Sequence, residues 1–175
     1  MSILKVARLG HPIIRKSAAP VPPEEILSVD FQKLIDAMVD TMKECEGVGL
    51  AAPQVYVPKQ IAVIEVNKNK RYPGAPAVPL TVLINPRIVS RSSKIEDGWE
   101  GCLSIPDLRG IVPRCQSVVC EAIDREGRAV RIEAKDFLAR VIQHECDHLE
   151  GKVFLDRMPN LLSLTHLTEF AKYWE

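Results

Sequence analysis

No stretch of this sequence reaches the roughly 20 apolar residues that a bilayer-spanning helix requires, and the opening MSILKVARLGHP lacks a signal-peptide core because charges and Pro12 interrupt it. A cytoplasmic location is therefore expected, with no membrane partner. Lys plus Arg and Asp plus Glu each total 23, and no window holds the dense basic patch that phosphate neutralisation demands. Direct nucleic-acid binding is not expected. CxxC spacing is also missing. Cys45, Cys102, Cys115, Cys120 and Cys146 form an odd set in a chain large enough to fold without staples, so free thiols in a reducing compartment are expected. Internal repeats and low-complexity segments are absent.

What remains is a chain of 175 residues with 46% hydrophobic composition, enough for one compact domain over 1–175. Phe31, Leu34, Ile35, Met38, Val39 and Met42 recur at helical spacing, which predicts an amphipathic helix near 30–45 with Asp30 as N-cap and Gly47 near the C-cap. The β-branched runs at 60–66 and 81–89 read as strands joined by a polar surface loop. Segments 117–123 and 129–134 flank DREG and predict a hairpin, with Gly127 at positive φ. A second helix is expected from an N-cap at Asp136 to a stop at Gly151, and a short terminal helix at about 161–174. Without βαβα alternation, this order favours an α+β fold, with small mixed or antiparallel sheets packed around the second helix.

That second helix carries His144-Glu145-Cys146-Asp147-His148. Residues i and i+4 share a helix face about 6 Å apart along the axis, so two imidazoles can converge on one ion, while Glu145 is rotated to flank it. Asp147 and Glu150 are turned away and are expected to make surface or supporting hydrogen bonds; His11 and His166 read as structural or solvated. Two histidines do not complete a site. A metzincin-type third His is excluded because Phe154 stands in its place. Glu169 would serve a zinc endopeptidase of thermolysin type with His144 and His148. Cys102, set among Gly98, Gly101 and Pro106 in what reads as irregular backbone, is the other candidate; the pattern leans to Cys102 and leaves Glu169 open.

Three segments together, GVGLAAPQ (47–54), EGCLS (100–104) and QHECDH (143–148), resemble the defining motifs of peptide deformylases, in the same order. The resemblance extends to LGHPIIR (9–15), INP (84–86), SIPDLRGIVPR (104–114) and GKVFLDR (151–157). It implies a metal-dependent hydrolase that removes formate from the N-terminal formylmethionine of nascent polypeptides, with water activated at the metal as nucleophile. Cys102, His144 and His148 would be the ligands and Glu145 the general acid/base. Gln54 and the backbone N–H of Leu103 would hold the carbonyl oxygen, and Val48, Gly49, Gly101 and Val141 would border the methionine pocket. Fe²⁺ is the ion expected from the resemblance, although Zn²⁺, Ni²⁺ or Co²⁺ would satisfy the same donors. Transient ribosome contact is expected of the family, but the tail beyond residue 158 lacks the long basic helix of some bacterial members.

Overall fold

The structure, a computed structural model, describes residues 2–67 and 74–174; residues 68–73 of the predicted polar loop fall outside them. Helices α1 (Pro23–Ile26) and α2 (Val29–Glu44) precede strands β1 (Gly49–Ala51), β2 (Ile61–Val66), β3 (Val78–Arg91), β4 (Ile95–Cys102), β5 (Ile105–Cys115), β6 (Ser117–Ile123) and β7 (Ala129–Lys135). Helix α3 (Asp136–Leu149), β8 (Thr165–His166) and α4 (Leu167–Tyr173) complete the order. Five strands pair antiparallel in the order β1-β2-β3-β6-β7, and three in the order β4-β5-β8. The expected α+β architecture is therefore present.

Strand β2 is buried on both faces, which is why IAVIEV reads as a continuous apolar run. Alternate residues of a strand point to opposite sides. Ile61 and Val63 join Phe31, Ile35, Met38 and Met42 of α2, while Ala62 and Ile64 join Ala139 and Ile142 of α3. Helix α3 touches strands of both sheets, so its residues are the natural meeting point of the fold.

Several boundaries differ from expectation, each for a local reason. Ser28, not Asp30, caps α2: its hydroxyl accepts the Phe31 N–H at 3.3 Å, leaving Asp30 in the first turn to face the helix dipole. The helix ends in a Schellman turn in which Gly47 N–H donates to the Met42 carbonyl, but the left-handed residue is Glu46, at φ 53°. Asp136 is not a side-chain cap either. It sits at φ 51°, and its carboxylate accepts from Gln116 Nε2 at 3.1 Å, which ties α3 to the β5–β6 junction. Strand β3 is longer than predicted, and the terminal helix is confined to 167–173. The hairpin of β6 and β7 is as expected, with Gly127 at φ 80°. The largest correction concerns residues 95–115, within which Gly98, Gly101 and Pro106 suggested irregular backbone around Cys102. The segment forms the regular β4–β5 hairpin, irregular only beside Cys102.

Candidate metal centre

Cys102 is the last residue of β4, at the register shift that precedes the two-residue turn Leu103-Ser104. His144 and His148 lie one turn apart on α3, with ring centroids separated by 4.9 Å. The Cys102 sulfur is 3.2 Å from His148 Nε2, and one donor atom from each of Cys102, His144 and His148 falls within 4.8 Å of the others. Among the described residues, this is the group of such side chains able to surround one ion.

The charge states suit a cation. Burial alone would raise the Cys102 thiol, but the two imidazoles outweigh it and hold the group well below its usual range. Gln54 Nε2 and the Ser104 N–H both point at the sulfur, each at 3.4 Å. His144 Nδ1 lies 2.9 Å from Glu100 Oε2; since a carboxylate accepts, Nδ1 carries the proton and Nε2 is left free to coordinate. Glu145 is only 3% exposed, and its Oε2 has no hydrogen-bond partner among the described residues. Burial pushes its carboxyl up to about 7, against the opposing pull of His144 and His148. A soft thiolate, two imidazoles and an unpartnered carboxylate oxygen beside them fit a bound transition-metal ion.

Beneath the centre lies a buried ionic cluster. Glu100 accepts from Arg114 Nε at 2.9 Å and Nη2 at 3.0 Å, and from Arg140 Nη1 at 3.0 Å. Arg114 Nη1 also reaches Asp147 at 2.6 Å, and Arg157 closes on the same carboxylate. Burial opposes ionisation of Glu100, but His144 and Arg114 outweigh it and keep the group a carboxylate. Through Arg114 of β5, the cluster joins β4 and α3, the two elements that deliver the ligands.

A cleft opens above these residues. Val48, Gly49, Gln54, Gly101, Leu103 and Val141 all line it with Glu145, so the expected site residues converge. Gly49 has a steric reason as well: a Cβ there would lie 2.3 Å from Glu145 Oε1.

The sequence profile of the polypeptide deformylase family matches residues 3–163. The chain belongs to that family. It is 46% identical over 171 residues to peptide deformylase 2 of Pseudomonas putida, covering 98% of this chain and 91% of that protein. Over 156 residues it is 46% identical to peptide deformylase 1 of Bordetella pertussis, covering 89% and 88%. The Met-Ala-Ser-bound class I type b peptide deformylase of Acinetobacter baumannii superposes with a TM-score of 0.88 at 43% identity, covering 90% of this chain and 100% of that one.

Within this deformylase fold the remaining candidates separate cleanly. Glu169 pairs with Lys172 on exposed α4 and takes no part in the donor cluster, which removes the basis for the endopeptidase reading. His11 and His166 serve as local caps, accepting from Ile13 N–H and Thr168 N–H. Asp147 is turned from the centre and makes supporting contacts as a buried partner of two arginines, and Glu150 pairs with Lys152 at the surface, the two alternatives expected of them. Sequence reading missed Trp99, Phe137 and Arg140 in the cleft wall, and the supporting role of Glu100 and Arg114. For Glu100 a signal existed: it stands two residues before Cys102, on the same side of a strand.

Proposed function

We propose that this chain is a metal-dependent peptide deformylase that hydrolyses the formamide at the N-terminal formylmethionine of newly made polypeptides and releases formate. The convergence of Cys102, His144 and His148 beside the unpartnered carboxylate oxygen of Glu145 is the observation that carries the reading. A divalent cation held by those three residues supplies Lewis-acid polarisation and a nucleophile at neutral pH. We assign Fe²⁺ as the resident ion on family resemblance.

Each remaining demand of amide hydrolysis has a residue. Glu145, held near neutrality by burial, takes the proton of the attacking water and gives it to the departing nitrogen. Gln54 Nε2 and the Leu103 N–H face the developing oxyanion, an arrangement worth on the order of 3 kcal/mol per donor where water is excluded. Gln54 is preset for this, because its Oε1 is occupied by the Ala51 N–H at 2.8 Å and its amide nitrogen is thereby turned towards Cys102. Strand β1 is an edge of its sheet, so the Val48-Gly49 end offers backbone groups to an extended substrate while Gly101 and Val141 border its methionine.

The test is formate release from formyl-Met-Ala-Ser, before and after chelation, by the wild type and by Glu145→Gln. Activity is expected to vanish on chelation, return on metal addition, and fall by at least about 100-fold in the variant. Preserved turnover in Glu145→Gln would overturn the acid/base assignment, and chelator resistance would overturn the metal-dependent reading.

A further inference from the structure

Trp99 lines the cleft, yet its indole is held from behind by the end of the chain. The terminal segment docks through β8, where His166 pairs with Leu108 and Thr165 with Arg109. Phe170 then enters the protein, 7% exposed, with the Arg109 guanidinium 4.9 Å from its ring centroid and the Trp99 indole 4.9 Å away at 71°. Trp174, just past the last turn, packs on the same indole at 5.5 Å and 56°, although it remains 59% exposed. A strand fixes the Cα of a wall residue but not its rotamer; a side chain facing a cleft keeps one orientation only if its other sides are packed. The tail provides that packing here. Its Leu167 also borders a second groove, with Arg8 and Pro106, that shares Cys102 and Leu103 with the cleft.

We propose that two aromatic side chains of the tail, Phe170 and Trp174, belong to the peptide-binding apparatus as positioning residues that hold Trp99 as a wall against the bound formyl-peptide. The inference rests on the deformylase reading above and adds to it a task for the tail. Deleting one aromatic contact loosens the wall without touching Cys102, His144, His148 or Glu145, so binding suffers and the chemical step does not.

Steady-state formate release from formyl-Met-Ala-Ser separates the two. In Phe170→Ala and Trp174→Ala, KM is expected to rise about three- to tenfold, with kcat within about twofold of wild type. Trp174→Phe should restore KM, and Tyr173→Ala, on the same helix but 72% exposed, should leave it unchanged. The chain has two tryptophans, so Trp174→Phe leaves Trp99 as the sole indole, and its fluorescence should respond to titration with the product Met-Ala-Ser. Trp174→Ala, at a side chain 59% exposed, guards against a folding defect in Phe170→Ala. An unchanged KM in Trp174→Ala, or a silent Trp99, would overturn the role of the tail while leaving the deformylase reading intact. A wild type that releases no formate would instead overturn the deformylase reading itself.

Discussion

Replacing Glu100 by Gln tests whether the buried ionic cluster serves the metal centre. The carboxylate is 3% exposed and receives Arg114 Nε and Nη2, Arg140 Nη1 and His144 Nδ1. Glutamine keeps the shape but offers one acceptor oxygen and an amide that donates. Whichever way it is turned, its NH₂ faces an Arg114 nitrogen together with either His144 or Arg140. Breaking a buried pair while leaving its partner in place costs about 3–5 kcal/mol. Asp147 still neutralises part of Arg114, which argues for about 3 kcal/mol, and at about 2–4 °C per kcal/mol for a chain of this size the unfolding midpoint should fall by about 6–12 °C. His144 also loses the acceptor that fixes its tautomer and ring plane, which typically costs 10- to 100-fold in metal affinity. Thermal unfolding and competition against a chelator read the two effects separately. A midpoint within about 2 °C of wild type, or metal affinity within about threefold, would refute the respective half of the reasoning.

Gly49→Ala should retain metal yet lose at least about 100-fold in kcat, because the new Cβ displaces the Glu145 carboxyl from which it would lie 2.3 Å; normal turnover would show that the carboxyl has another place to act from. Cys102→Ser should release bound metal and Glu169→Ala should keep it, as measured by metal content after dialysis; the reverse would reinstate the carboxylate ligand. Burial favours protonation of Asp156, but the Val153 N–H and Arg15 outweigh it and depress the pKa, so its contribution to stability is complete above about pH 4 and is lost as pH falls through the lower folded value. Denaturant midpoints measured downward from pH 5 should therefore drop more steeply for the wild type than for Asp156→Asn, and parallel curves would contradict the assignment.

The legible part of this fold was the part encoded locally. Helical spacing exposed the core face of α2 and placed His144 and His148 on one side of α3, because both patterns repeat within a turn or two. The β4–β5 hairpin was not legible because its glycines look like breakers. In the structure, they make room for side chains from elsewhere: a Cβ at Gly98 would lie 2.7 Å from Arg140 Nη2, and one at Gly110 would lie 2.6 Å from Met158 Cε. No local pattern announces such an approach. Ser28 and Asp30 are both residue types that cap helices and stand two positions apart, and the apolar spacing of α2 does not choose between them. The identity of the third ligand was likewise open, because the choice between Cys102 and Glu169 depends on which distant segment the sheet carries to α3.

The same distance explains the ionic cluster. A centre whose sulfur comes from β4 and whose imidazoles come from α3 is only as well defined as the joint between those elements. Hydrophobic contacts fix that joint loosely, since apolar surfaces slide at little cost, whereas Arg114 fixes it by direction, with two nitrogens on Glu100 and a third on Asp147. Well-packed apolar residues in place of Glu100, Arg114 and Asp147 would often be as stable, so stability alone does not account for them. An apolar set would leave His144 Nδ1 without its acceptor and the strand free to shift against the helix. The cluster is therefore explained by the geometry it imposes on Cys102 and His144.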